Sequence, residues 1–249
     1  MRAPWIETAA RHWQHRRLAR CRRAERRPAM RDALAAAAGD CVLLAGNSHA
    51  EFLGTPDFGG RPCINLAVGG STAADCAAHL AGLRAPVRVA ASILIIGTND
   101  IMRWRHPERA RTQRRFEAEV RCILRILEAC SPQVFVAALP PIGAWATGRD
   151  PASVAPFSAR LEALCAEGGH SFFDPFAALR DAGPGLARTG LYRDGVHLAD
   201  YTRLAAEVVR LVAIDPAPSG LRAAPRAAAA PLPTGSLRAL HAAAWGVRP

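Results

Sequence analysis

Residues 91–100 read ASILIIGTND, an apolar, β-branched run that ends in turn-forming residues, and this pattern predicts a buried strand over 91–97. Four more apolar runs predict strands over 41–46, 61–68, 133–139 and 170–174. Helical spacing between them predicts helices within 71–83, 107–130, 151–169 and 200–214. Strands that alternate with helices indicate an α/β domain: a central parallel sheet of about five strands with helices on both faces.

The charge of the chain is concentrated at its two ends. The net charge is +11, and all 32 basic residues are arginine. Residues 1–29 hold nine arginines and two acids, residues 216–249 hold four arginines and no acid, and the middle of the chain is neutral. A neutral middle gives the folded part no net field for a polyanion, so we expect no specific nucleic-acid binding.

Cysteine usage and hydropathy predict a cytoplasmic protein. The seven cysteines form no CxxC pair, which favours reduced, mostly buried thiols and disfavours a zinc site. The basic N-terminus is not followed by the apolar segment of a signal peptide, and no apolar run has the length of a membrane span.

Three regions are expected along the 249 residues: an Arg-rich N-terminal extension over 1–30, the α/β domain over 31–214, and a Pro/Ala-rich linker with a short C-terminal helix over 215–249. The extension contains Trp5 and Trp13 among its arginines. It fits a solvated helix packed on the domain, and it also fits a helix with weak affinity for a membrane surface or a protein partner.

Four polar segments follow predicted strands or precede the last helix: GNSH at 46–49, GGST at 69–72, GTND at 97–100 and DGVH at 194–197. In an open parallel sheet, the residues that follow the strands lie at one edge, where ligands bind. Ser48 is a candidate nucleophile, His197 its base, and Asp194 the group that orients the base. The Ser48 N–H, the Gly70 N–H and the Asn99 amide are candidate donors to an oxyanion.

These four segments, in this order, resemble the blocks of the SGNH (GDSL-type) hydrolase family. The matching stretches are LLAGNSHAE, NLAVGGST, IIGTND and YRDGVHL, and the similarity covers roughly residues 41–213. The resemblance implies a flavodoxin-like three-layer α/β/α sandwich and ester hydrolysis through an acyl-serine, without metal or cofactor. Asn47 stands where the family usually has Asp, and Ala67 where many members have Gly.

Several interpretations remain open at this level. The expected substrate is a small-molecule ester with a short acyl group, acetyl first, while thioesters and lysophospholipids are alternatives. The alternative to an enzyme is a catalytically inert binding module with a basic docking arm. Deleting residues 1–29 would separate the two, because an enzyme is expected to keep hydrolysing a small ester. His49 and residues 103–106 and 139–145 could line the pocket, although a surface or loop position is favoured for His49.

Overall fold

Five parallel strands form one sheet at the centre of the molecule, and their order across the sheet is β2-β1-β3-β4-β5. The structure is a computed structural model that describes residues 4–146, 148–212 and 214. The strands are β1 (Val42–Gly46), β2 (Cys63–Asn65), β3 (Ala91–Ile95), β4 (Gln133–Ala137) and β5 (Ser171–Phe173). This is the strand order of flavodoxin-like folds, so the predicted parallel sheet of five strands is confirmed.

Both faces of the sheet are covered, which explains why the strands are continuously apolar rather than alternating. In β1, Leu43 and Ala45 belong to the hydrophobic core on one face. Val42 and Leu44 belong to the core on the other face, because successive side chains of a strand point to opposite sides. Every residue of β1 and β3 is buried, so these two strands lie at the middle of the three layers.

The helices divide between the two faces. They are α1 (Pro4–Ala35), α2 (Ser48–Phe52), α3 (Ala73–Leu80), α4 (Ala110–Cys130), α5 (Val154–Gly168) and α6 (Thr202–Leu211). The apolar sides of α3, α4 and α5, with the end of α1, pack on one face. Helices α2 and α6 pack on the other face, which completes the α/β/α sandwich predicted from the sequence.

Helix α1 is held against the domain over its second half. Ala19, Met30 and Leu34 are buried. The helix runs without interruption through residue 30, where the sequence suggests the end of an N-terminal extension. The side chains that are described in α1 therefore agree with a helix that packs on the domain. The predicted linker and C-terminal helix over 215–249 lie outside the described residues.

The sheet order places the ends of β1 and β3 side by side at the edge where ligands bind in folds of this type. Gly46 allows this close approach. It adopts φ +139°, and a Cβ built on it would lie 1.9 Å from the Ile95 carbonyl oxygen. No other residue fits at the end of β1, so the strand must end in glycine immediately before the segment that carries Ser48.

Candidate active site

Three side chains that are far apart in sequence form a continuous hydrogen-bonded chain. His197 Nε2 lies 2.9 Å from Ser48 Oγ. His197 Nδ1 lies 2.7 Å from Asp194 Oδ2. Ser48 begins α2 directly after β1, while Asp194 and His197 lie in the loop before α6. The structure therefore brings together the three residues that the sequence analysis selects as nucleophile, base and orienting acid.

The chemistry of the partners decides where the histidine proton lies. A carboxylate only accepts hydrogen bonds, so Nδ1–H of His197 must be the donor to Asp194. In the neutral imidazole, Nε2 then carries a lone pair and accepts from the Ser48 hydroxyl. This is the arrangement in which an imidazole can remove the proton from a serine as it attacks.

The loop around Asp194 keeps its carboxylate ionised. Partial burial would raise the pKa of this carboxyl, but hydrogen bonds from the His197 ring and from the backbone N–H groups of His197 and Val196 lower it to about 2. The two backbone donors lie 2.7 and 2.9 Å from Oδ1. Asp194 is thus a fixed negative charge against Nδ1, able to stabilise an imidazolium when His197 takes a proton.

Asn47 takes the role of helix cap in front of the nucleophile. Its Oδ1 accepts from the His49 N–H at 3.0 Å, and the residue is fully buried at the start of α2. A side-chain acceptor at this position satisfies one of the free N–H groups of the first helical turn. Asn therefore supplies the same cap that the usual Asp of this block would supply, without its charge.

The candidate oxyanion donors lie on three adjacent strand ends. Gly70 adopts φ +80°, a conformation that only glycine takes without strain. Within the described residues, neither the Ser48 N–H nor the Gly70 N–H donates to a protein acceptor. The Asn99 Nδ2 donates to the Ser71 carbonyl oxygen at 3.0 Å, which leaves its second hydrogen for another acceptor.

Asp100 fastens the segment that carries Gly70. Both of its carboxylate oxygens accept from the Ala73 N–H, at 3.1 and 3.2 Å, at the start of α3. Burial raises the pKa of Asp100 to about 7, although the nearby Arg105 and the Ala73 N–H act in the opposite direction. Asn99 and Asp100 together tie the end of β3 to the turn between β2 and α3.

Glu51 connects the same turn to α1. Its carboxylate accepts a hydrogen bond from the Gly69 N–H. It also lies 3.9 Å from an Arg22 nitrogen and 3.7 Å from an Arg26 nitrogen. The arginine-rich helix therefore supports the residue next to Gly70, a function that its composition alone does not indicate.

His49 is not at the surface, so the favoured sequence interpretation of this residue is wrong. It has no exposed area, and its Nδ1 lies 3.0 Å from the Tyr201 hydroxyl oxygen. Burial, followed by the nearby positive charges, lowers the pKa of His49 to about 3, so the ring is neutral. Its ring centroid lies 5.8 Å from that of His197, so His49 packs against the ring of the candidate base.

Residues 103–106 and 139–145, the two segments proposed as pocket walls, lie in different surroundings. Arg103 and His106 are exposed, and Arg103 pairs with Asp150 at 3.5 Å. In the other segment, the Gly143 N–H donates to the Gly195 carbonyl oxygen at 2.8 Å, and Trp145 is 49% exposed. The loop after β4 therefore lies against the loop of the base.

Sequence reasoning missed one charged group of the site. Arg149, in the loop after β4, donates through Nη2 to Asn99 Oδ1 at 2.9 Å and through Nε to the Thr98 carbonyl oxygen at 3.0 Å. A single arginine in an irregular segment gives no sequence signal for such a role. Among the described residues, no group of three or more His, Cys, Asp or Glu side chains could hold a metal ion.

The fold and the site together define a flavodoxin-like α/β/α sandwich with a Ser–His–Asp arrangement at the point where the strand order reverses. The model of the GDSL-like lipase/acylhydrolase family matches residues 43–201, and the chain belongs to this family. No curated protein matches the chain.

Solved structures share the fold at low sequence identity. A Streptococcus pneumonia protein whose name refers to platelet activating factor has a TM-score of 0.65 and 16% identity over 83% of this chain and 98% of its own. A GDSL-like lipase of Bacteroides thetaiotaomicron has a TM-score of 0.57 and 18% identity over 72% and 91%. An acetylxylan esterase of Geobacillus stearothermophilus has a TM-score of 0.53 and 16% identity over 70% and 93%.

Proposed function

We propose that the protein is a serine ester hydrolase that removes a small acyl group, acetyl first, through an acyl-serine intermediate. The observation that carries the proposal is the position of His197, whose two ring nitrogens lie within hydrogen-bond distance of Ser48 and Asp194. Membership of the GDSL-like lipase/acylhydrolase family supports ester hydrolysis as the reaction class.

The chemistry follows from the site. His197 takes the hydroxyl proton of Ser48 as Oγ attacks the ester carbonyl carbon, and Asp194 stabilises the imidazolium. The carbonyl oxygen becomes an oxyanion, and the proposed donors to it are the N–H groups of Ser48 and Gly70 and the Asn99 amide. Collapse of this intermediate expels the alcohol, which receives the proton from His197 and leaves an acyl-serine. A water molecule then attacks the acyl-serine with His197 as base, which releases the acid and restores Ser48.

A short acyl group is the first choice for reasons of fold and of sequence. The sequence contains no long apolar segment of the kind that covers a lipid-binding site. The acetylxylan esterase that shares this fold makes acetyl the first acyl group to test.

We propose that the protein acts in the cytoplasm. Among the helices of the described residues, none has the length and hydrophobicity that crossing a bilayer requires. All seven cysteines are free thiols, and buried unpaired thiols are typical of a reducing compartment.

The test is hydrolysis of p-nitrophenyl acetate by the wild type and by Ser48→Ala at mildly alkaline pH. Ser171→Ala is the matched control, since it makes the same change at an exposed serine of β5. We expect Ser48→Ala to lower kcat by at least about 10³-fold, because the nucleophile is lost. We expect the control to keep the wild-type rate, and p-nitrophenyl butyrate and octanoate to be progressively poorer substrates.

Equal rates in the wild type and in Ser48→Ala would refute the mechanism and favour a binding module. A preference for the octanoate ester would refute the short acyl group while leaving the nucleophile in place. The two parts of the proposal are therefore tested separately.

A further inference from the structure

We infer that Arg149 is a positioning residue that fixes the orientation of the Asn99 side-chain amide, so that a hydrogen of Nδ2 faces the oxyanion. The inference rests on the proposed function, because the oxyanion exists only if Ser48 attacks a carbonyl. It assigns a role to a charged side chain that lies outside the four sequence segments of the site.

The partners of Asn99 allow one orientation of its amide. A guanidinium only donates, so the group that lies 2.9 Å from Arg149 Nη2 must be the carbonyl oxygen Oδ1. The Ser71 carbonyl oxygen only accepts, so the group 3.0 Å from it must be Nδ2. Turning the amide over would place an NH₂ group against the guanidinium and an oxygen against a carbonyl, which would remove both hydrogen bonds.

Without Arg149, only the bond to Ser71 would distinguish the two ends of the amide. Asn99 is 3% exposed, so Oδ1 would then lack a hydrogen-bond partner in a buried position. Rotation that gives Oδ1 access to solvent would turn Nδ2 away from the substrate. The donor would be lost in the transition state, while the substrate would still bind.

Arg149 is itself held at both ends. Its Nε donates to the Thr98 carbonyl oxygen, so the guanidinium is hydrogen-bonded both to the backbone next to Asn99 and to the Asn99 side chain. Its backbone pairs with Met102 in an isolated bridge, and the next residue donates its N–H to the Ile101 carbonyl oxygen at 3.0 Å. The loop after β4 is thus attached to the loop after β3 at the position where Arg149 reaches inward.

The charge of Arg149 also has the correct sign for this position. Burial lowers the pKa of its guanidinium to about 10, while the carboxylate of Asp194 acts in the opposite direction, so the group is positive at neutral pH. A positive charge that donates to Oδ1 polarises the amide and strengthens Nδ2–H as a donor. Orientation and polarisation both act on the same hydrogen bond to the oxyanion.

The test is a double-mutant cycle of Arg149→Ala and Asn99→Ala, measured as kcat and KM for p-nitrophenyl acetate. Arg203→Ala, at an exposed arginine of α6, is the matched control. We expect Arg149→Ala to lower kcat by about 10- to 100-fold, with KM within about twofold of wild type, because one oxyanion donor is misdirected. In the Asn99→Ala background, the same change is expected to cost less than about threefold, since its target is already absent.

Two results would overturn the inference while the wild type still shows Ser48-dependent hydrolysis. One is an Arg149→Ala protein with wild-type kcat. The other is an equal fold-loss in both backgrounds, which would show that Arg149 acts independently of Asn99. If Arg149→Ala does not fold, Arg149→Met keeps much of the packing volume without donors and completes the same cycle. A wild type without Ser48-dependent hydrolysis would instead refute the proposed function and the inference with it.

Discussion

Replacing Asp100 with Asn is expected to stabilise the folded protein above pH 7 relative to wild type, and to lose this advantage in acid. Asp100 is 7% exposed beside the start of α3. Burial raises the pKa of its carboxyl from 3.8 to about 7, even though Arg105 and the Ala73 N–H favour the ionised form. Asn keeps an oxygen that can accept from the Ala73 N–H, but it never carries the charge.

The sign follows from proton binding. Between the pKa values of the unfolded and the folded state, 3.8 and about 7, the folded protein holds a proton that the unfolded chain has released. Wild-type stability therefore falls as the pH rises through this range, and the loss is complete above the folded pKa. A shift of about three pKa units corresponds to about 4 kcal/mol, of which about 3 kcal/mol falls between pH 5 and pH 8.

The assay is urea unfolding of wild type and Asp100→Asn at about pH 5 and pH 8, compared through their free energies of unfolding. Asp40→Asn, at an exposed carboxylate, is the matched control. We expect the stability of Asp100→Asn relative to wild type to rise by about 3 kcal/mol from the lower to the higher pH. A difference between the two proteins that is the same at both pH values would refute the reasoning.

Two further predictions concern the turn that carries Gly70. Deleting residues 1–29 is expected to lower both Tm and kcat, because it removes buried Ala19 and the two arginines that pair with Glu51; a truncated chain with wild-type values of both would contradict this. Gly70→Ala is expected to lose about 1–2 kcal/mol of stability, since its φ is +80°, and about 10²-fold in kcat as the donor shifts. Gly54→Ala is the control, because Gly54 also has a positive φ, +66°, and has open space around it. Equal kcat losses in the two variants would contradict a specific role for Gly70.

The expected effect of the deletion differs from the one that the sequence suggests. The concentration of arginine at the N-terminus indicates a separate arm, whose removal should leave hydrolysis intact. In the structure, Arg23 also lies 3.7 Å from Asp75 of α3, and Arg27 donates to the Gly82 carbonyl oxygen at 3.0 Å. Since the partners of these arginines are acids or a carbonyl of the domain itself, Arg22, Arg23, Arg26 and Arg27 act within the fold.

The layers of this fold could be predicted from sequence because each element carries its own signal. The run ASILIIGTND is apolar on both sides of its strand and ends in turn formers, so the strand and the position of Asn99 follow from local chemistry. The same holds for Ser48 after β1. Predicted strands extend further than the observed ones, most of all at β2, because this edge strand pairs with β1 only over Cys63–Asn65.

The sequence by itself determined the parallel sheet, the succession of strands and helices along the chain, and the five residues expected at the edge of the sheet. It could do so because periodicity and turn residues are local properties. Only the tertiary structure decided which other side chains support these five residues. Arg149, Glu51 and His49 are such residues, and none of them carries a local pattern. Their roles come from contacts between residues that are 50, 18 and 152 positions apart, and such contacts exist only once the chain has folded.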